Sequence, residues 1–390
     1  MDTATQALLG AVVGQAAFSH RLGRRAVWWG ALGGILPDLD VLAIATHGPF
    51  GEFLYHRGLT HALWFGPVVG PALGWAVWRG AARRKRRRGD ALETGSGARE
   101  PALPDPGNRS QLGAWMGLFT LVLFTHPLID VFTSYGTQLW APFSMQRYAW
   151  NGAAIIDPVY SGILIAALVL GTRLRARPRA RRVVAFVALA LSWSYLGYGV
   201  LLNRNAEEAV RQHLVAQGVT VDSVRAYPTL LQPFLRRVVV RTPNDVRVGL
   251  HTPWHREGPL LVSLEPPAAH PLIGDLRQTP EGSIFVWFAM GEVMPRVLPT
   301  RDGFIVEIDD FRYGGLGEID QGMWGIRAIY DREGKMLGPA RRFNRSREGS
   351  FELLKALWDA TWGDFSGMQA LTGAASDEPR TESGSDRAAD

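Results

Sequence analysis

The sequence predicts a polytopic α-helical membrane domain of about six helices, followed by an α+β, β-rich extracytoplasmic domain. Three observations carry this expectation. Residues 1–202 are long apolar runs split by arginine clusters, residues 203–390 mix charge with apolarity as a water-soluble domain does, and 390 residues exceed one small domain. Lysine plus arginine number 42 against 36 acidic residues, a surplus of +6. The arginines flank apolar stretches of bilayer length, so they report membrane orientation, and no nucleic-acid partner is expected. With no cysteine in the chain, disulfides and thiolate ligands are excluded, and any metal must be held by His, Asp, Glu, Asn or Gln.

The first apolar run, from about Thr5 to Phe18, is short for a span. It lacks a basic start and a cleavage motif, which predicts a short helix and not a signal peptide. Val27 to Ile44 is long enough to cross but contains Pro37, Asp38 and Asp40, which predicts a broken helix. His61 to Trp78 and Leu112 to Phe132 approach the roughly 20 apolar residues a span needs, and Ala153 to Leu170 and Val183 to Leu202 complete the set. Arginines fall between the first two helices (Arg21, Arg24, Arg25), after the third (Arg79 to Arg88) and between the last two (Arg173 to Arg182). Basic loops are retained in the cytoplasm, so the loops 46–60 and 133–152 and everything after Leu202 are expected outside it, in a bacterial inner membrane with the bilayer as partner.

Residues 89–110, rich in Gly, Pro, Ser and charge, read as a flexible cytoplasmic linker within the membrane domain 1–202. The soluble domain, 203–370, is expected to open on a helix and to continue in strands at Val219–Tyr227, Arg237–Arg241, Val246–His251, Leu260–Leu264, Ile284–Met290, Phe304–Ile308 and Ile326–Tyr330. An amphipathic helix at about Phe351 to Phe365 precedes a polar tail, 371–390, too poor in apolar residues to fold alone.

Ionisable residues inside membrane segments are costly, and here they cluster. Asp38 and Asp40 interrupt the second helix, His56 and His61 bracket the start of the third, His126 and Asp130 lie near the end of the fourth, and Asp157 starts the fifth. All seven fall on the outward side, although the arginines alone set the topology. His126 and Asp130 are spaced i, i+4 on one helical face, a spacing able to share a metal. Thr60 is expected to cap the third helix, with His61 in its first turn and His56 approaching from the loop. Four unpaired aspartates at membrane depth cost roughly 10–14 kcal/mol, comparable to the roughly 10–16 kcal/mol that a structural zinc returns. Imidazole nitrogen and carboxylate oxygen suit zinc first, with manganese or iron as alternatives. Arg57 and Arg147 are placed to pair with carboxylates or with an anionic substrate group.

These residues carry a resemblance. The opening MDTATQALLGAVVGQAAF, then LGRRAVWWGALGGILPDLDVL, HRGLTHALW, THPLIDVFTSYGTQLWAPFS and IIDPVY, in that order, resemble the bacterial membrane-bound metal-dependent hydrolases, the YdjM-like inner-membrane family, over roughly residues 1–205. The resemblance implies a divalent metal and hydrolysis without naming a substrate. It implies as metal-binding residues Asp38 and Asp40 of the PDxD element, His56 and His61 of HRGxTH, and His126 and Asp130 of HxxxD; Arg57 and Thr60 belong to the same elements, and Asp157 matches less firmly. Some relatives carry a histidine where this chain has Gln6, a weaker ligand that touches substrate or supports the site. The ligand chemistry is also similar to that of zinc-dependent phospholipases, which nominates a phosphoester.

If the site hydrolyses, a water activated by the metal is the nucleophile, and Asp40 or Asp157 is the expected proton acceptor. A pocket at the outer interface most naturally meets an amphiphilic substrate such as a phospholipid or lipid-linked phosphate. The alternative is a non-catalytic membrane protein, a transporter or assembly factor, in which the same residues form a structural metal site or polar network. The remaining histidines (His47, His213, His251, His255, His270) read as surface residues, Asp309 and Asp310 as a turn, and Gly30, Gly33 and Gly34 as points of close helix contact.

Overall fold

The computed structural model describes residues 1–92, 109–265, 269–314, 319–345 and 351–372. Most of the expected linker and nearly all of the expected tail lie outside the described residues. The chain divides into two compact units. One comprises Met1–Asn203 with Pro228–Pro233 and Ser283–Gly291; the other comprises Arg204–Tyr227, Phe234–Gly282 and what is described of Glu292–Asp390.

Six main helices build the first unit: α1 (Thr3–Val13), α2 (Arg25–Ile35), α3 (Phe65–Leu92), α4 (Arg109–Asp130), α5 (Pro158–Arg173) and α6 (Pro178–Ala216), whose last turns from Arg204 belong to the second unit. Among the described residues two helices are long and apolar enough to cross a membrane, Ser110–Asp130 and Pro178–Ala216, while Pro158–Arg173 is apolar but shorter. The first two runs are interrupted locally. A π-helical turn at Gly14–Phe18 follows α1, and a 3-10 stretch at Leu36–Ala43 replaces α2 from the residue before Pro37 onward, as the proline and the two aspartates foretold.

Glycines set the helix spacing. A Cβ on Gly10 would lie 2.1 Å from the Gly30 carbonyl oxygen, and one on Gly34 would lie 2.3 Å from that of Gln6, so α1 and α2 touch backbone to backbone. Gly66, Gly70 and Gly74, one per turn along α3, meet the backbone of α4 in the same way. Around these contacts Leu9, Val12, Trp115, Leu118, Phe119, Tyr160, Leu164 and Leu196 form a closed apolar core.

The second unit carries two four-stranded sheets, ordered β1-β2-β3-β4 and β5-β6-β7-β8. The strands are β1 (Ser223–Pro228), β2 (Arg236–Arg241), β3 (Val246–His251), β4 (Leu260–Leu264), β5 (Val293–Thr300), β6 (Gly303–Asp310), β7 (Trp324–Asp331) and β8 (Arg341–Asn344). β2–β4 and β5–β8 pair antiparallel, as in β2–β3 where Val239 faces Val248. Helices α7 (Pro271–Gln278) and α8 (Pro280–Phe288) lie between the sheets in sequence, and α9 (Phe351–Thr361) follows them.

Three expectations need correction. Ile284–Met290 is not a strand: it lies mostly in α8, because a short continuous apolar run has no period to separate strand from helix, and Pro280 starts the helix. β5 and β8 were not foreseen. Asp309 and Asp310 do not form a turn but end β6 fully buried, where Asp310 chelates Arg312 and Asp309 pairs with Arg345.

Two outcomes follow from this packing. Gly70→Ala should cost about 1–3 kcal/mol, read as a lower melting temperature in detergent, because the new Cβ meets backbone atoms of Thr120 at 2.5 Å. Gly162→Ala, in α5 with nothing within 4 Å, should leave melting unchanged or raise it slightly. Burial, reinforced by His213 and His255, pushes the His251 imidazole down from its ordinary 6.5 to about 4. His251 is then neutral in the fold and protonated when unfolded over that interval, so its contribution is complete above pH 6.5 and is lost as pH falls toward 4. Protection of the β3 amides from exchange, corrected for the intrinsic pH dependence of exchange, should fall over this window, and less so in His251→Gln.

Candidate metal centre

Each side chain of the centre comes from a helix end or an irregular segment in the first unit. The 3-10 stretch after α2 supplies Asp38 and Asp40. His61 closes a second 3-10 turn, Leu59–His61, before α3, so Thr60 does not cap that helix and His61 is not in its first turn. The last turn of α4 supplies His126 and Asp130, with Pro127 inside the helix. The Pro127 ring leaves the i, i+4 relation of these two residues intact.

Asp38, His61, His126 and Asp130 converge, each offering one ligand atom within 4.8 Å of the others, and all four residues are buried. The Nε2 atoms of His61 and His126 are 3.0 Å apart. His61 Nε2 lies 3.2 Å from Asp130 Oδ2 and 3.5 Å from Asp38 Oδ1; His126 Nε2 lies 3.6 Å and 3.4 Å from the same atoms. Ligands at about 2.0–2.2 Å around a tetrahedral zinc stand about 3.3–3.6 Å from one another; the 3.4, 3.5 and 3.6 Å separations fall in that range, and the 3.0 and 3.2 Å separations made by His61 Nε2 are slightly shorter.

The outer hydrogen bonds fix which ring nitrogen faces inward. His126 Nδ1 lies 2.8 Å from the Gly34 carbonyl oxygen, which can only accept, so that nitrogen donates and Nε2 presents a lone pair. His61 Nδ1 lies 3.1 Å from Asp40 Oδ2 and makes the same choice. Two imidazole lone pairs and two carboxylates thus point at one spot with no proton assigned among them. Asp38 Oδ2, Asp130 Oδ2 and Gln6 Oε1 are buried without a hydrogen-bond partner. Donor set, spacing and orphaned oxygens together fit a divalent cation.

Asp40 lies outside the group of four and acts as its hub. Its Oδ1 meets His56 Nδ1 at 2.6 Å, and its Oδ2 accepts from the Thr60 hydroxyl at 2.6 Å and the Arg57 amide at 3.1 Å besides His61. His56 is therefore joined to the group through Asp40. Arg57 has φ of 59°, a left-handed conformation that costs a non-glycine residue of order 1 kcal/mol or more and that these hydrogen bonds hold. Its guanidinium is buried, donates to Thr133 Oγ1 at 2.7 Å, lies 3.4 Å from Asp130 Oδ1 and stands 4.8 Å from the Tyr135 ring centroid. Gln6 donates through Nε2 to Asp130 Oδ1 at 3.1 Å and to the His126 carbonyl. The Met1 nitrogen also bonds Asp130 Oδ1.

Asp157 is not brought to this group. It is the N-cap of α5, accepting from the amides of Val159 and Tyr160 with one oxygen and from the Tyr195 hydroxyl with the other. The sequence reading missed an aromatic layer beside His56 and Arg57: Tyr135 packs on His56, Phe288 packs on Tyr135 and Phe53, and Arg147 stands over Tyr135, Trp287 and Phe288. Phe288 and Trp287 are far along the chain, in the segment Ser283–Gly291 that folds with the first unit. The apolar run IFVWFAM was the one available signal.

Fold and site define a helical, membrane-associated protein with a buried His/Asp cluster that can hold a metal ion. The family description YdjM inner membrane protein matches residues 1–206, over half of the chain, and the chain belongs to that family. No significant match is found among curated proteins or among solved structures.

Elemental analysis of the purified protein should find about one divalent ion per chain, lost in His126→Ala and in Asp130→Ala. Asp40→Asn should retain the ligands but weaken metal affinity about 10–100-fold, because it loosens the hydrogen bond that orients His61.

Proposed function

We propose that the chain is a multi-pass inner-membrane hydrolase that uses a zinc ion held by Asp38, His61, His126 and Asp130 to cleave a phosphoester, most naturally a lipid-linked one, at the outer face of the bilayer. The convergence of the two Nε2 lone pairs on two buried carboxylates carries this reading. A six-span topology with the C-terminal unit outside the cytoplasm is supported by the helix ends. Arg25 starts α2, Arg79 and Arg83 lie in the second half of α3, Arg173 ends α5, and Arg179, Arg181 and Arg182 start α6. The site residues come from the opposite end of each helix they adjoin, and positive charge is retained inside.

The divalent ion supplies Lewis acidity toward the scissile group. The chain's own residues do the rest. Asp40 keeps His61 in its inward-facing tautomer. The Arg57 guanidinium, with its Nε buried and unpartnered, is available to negative charge that grows on a phosphoryl group. His56, bonded to Asp40 and with its side chain 18% exposed, is the group best placed to pass a proton between the site and water, in preference to Asp157, whose carboxylate is taken up by the α5 cap.

The test is release of phosphate from amphiphilic phosphoesters by the full chain in lipid nanodiscs. Turnover should be lost with chelator and restored by zinc, and His56→Gln should lower kcat about 100-fold or more while metal content is kept. Stoichiometric metal with no hydrolysis of any such substrate would favour the non-catalytic alternative, a structural metal in a transporter or assembly factor.

A further inference from the structure

We infer that the first unit holds an anionic phospholipid in a groove between α1, α2 and α5, at a site separate from the metal centre. The groove has a volume of about 380 Å³. Its walls are apolar along the helices, with Leu8, Val27 and Leu168 among them, and it is lined by three arginines, Arg24, Arg175 and Arg181. Among the described residues no acidic residue lines it. None is near in sequence either: the stretches 3–37 and 158–206, which supply every lining residue, contain no Asp or Glu.

Among the described residues the arginines therefore stand without counter-charge. Arg181 is repelled by Arg24, and its Nε is buried without a hydrogen-bond partner. None of the three has an ion-pair partner among the described residues. Arg24 immediately precedes α2, and Arg181 and Arg175 flank the start of α6, so two helix N-termini add partial positive charge at the same place. The complement to such a groove is one molecule with a phosphate at one end and an acyl chain at the other. The phosphate meets the guanidinium groups, and the chain lies along the helices toward Ala7 and Ala31. A chain of an inner-membrane family meets such lipids in its own bilayer. The lining begins one residue after Gln6 and its arginines lie at the other ends of the helices, so this lipid is held as a structural partner and is not the molecule presented to the metal centre.

The full chain, stripped of lipid in mild detergent, is to be offered phosphatidylglycerol, phosphatidylcholine or inorganic phosphate. Bound lipid is counted by native mass spectrometry, and melting temperature is followed in parallel. The expected result is about one phosphatidylglycerol per chain with a raised melting temperature, and neither effect from the other two probes. Arg24→Gln/Arg181→Gln, a change outside the packed core, should weaken binding at least about tenfold. Ala31→Phe, which fills the groove and leaves every arginine in place, should do the same, whereas Arg83→Gln, outside the groove, should have no effect. Helical circular dichroism identifies any variant that fails to fold, and the other groove variant then decides. Equal retention of phosphatidylglycerol by the double variant, equal retention of phosphatidylcholine, or full stabilisation by inorganic phosphate alone would each overturn the proposal.

Discussion

Two carboxylates and two imidazoles share one buried spot, and most of the first unit's irregular geometry follows from making that arrangement tenable. Buried charge of one sign is costly unless it is neutralised and hydrogen-bonded. Three of the four side chains are tied down on their outward side, His126 by the Gly34 carbonyl, His61 by Asp40, and Asp130 by Arg57, Gln6 and the Met1 nitrogen, while Asp38 Oδ2 is buried without a hydrogen-bond partner. The inward-facing atoms are left to one another. A cation at the centre is the simplest way to satisfy them.

The glycine contacts explain how the helices reach this arrangement. The Gly34 carbonyl, at the end of α2 just before the 3-10 stretch, accepts from His126 Nδ1. Gly34 itself must lack a side chain because the Gln6 carbonyl sits against it. Gly34 therefore joins Gly10 and Gly30 in setting the separation of α1 and α2, and its carbonyl orients His126. The left-handed backbone at Arg57 has a parallel role in the HRGLTH segment. It turns the chain so that the amide of Arg57, the Thr60 hydroxyl and His61 Nδ1 all reach the same Asp40 oxygen.

The family match ends at residue 206, whereas the unit that contains the site also takes in Pro228–Pro233 and Ser283–Gly291. Phe285 and Phe288 pack on Phe53, and Phe288 also packs on Tyr135, the ring that lies against both His56 and Arg57. The later part of this chain thus contributes side chains to the packing that steadies the mouth of the centre. In a chain built this way the segment matched by the family supplies the buried group that could hold a metal, and the later one shapes its surroundings.

That His and Asp residues would cluster was legible in the amino-acid order because ionisable residues in apolar runs need a reason to be there, and because i, i+4 spacing on a helix fixes a shared face whatever the tertiary structure. The broken second helix was legible from Pro37 for the same local reason. Assignment within the cluster was not. Whether Asp38 or Asp40 faces the centre depends on the phase of a 3-10 stretch, and whether His56 is a ligand or Asp40's partner depends on a loop turned by a left-handed arginine. Asp157 looked like its neighbours in composition, yet cap geometry claimed both of its oxygens. Periodicity, capping and charge are properties of neighbours in sequence, and they are written there; the placement of Phe288 beside Tyr135, and of three arginines around one acid-free groove, arises from contacts between segments far apart in the chain, which only folding brings together.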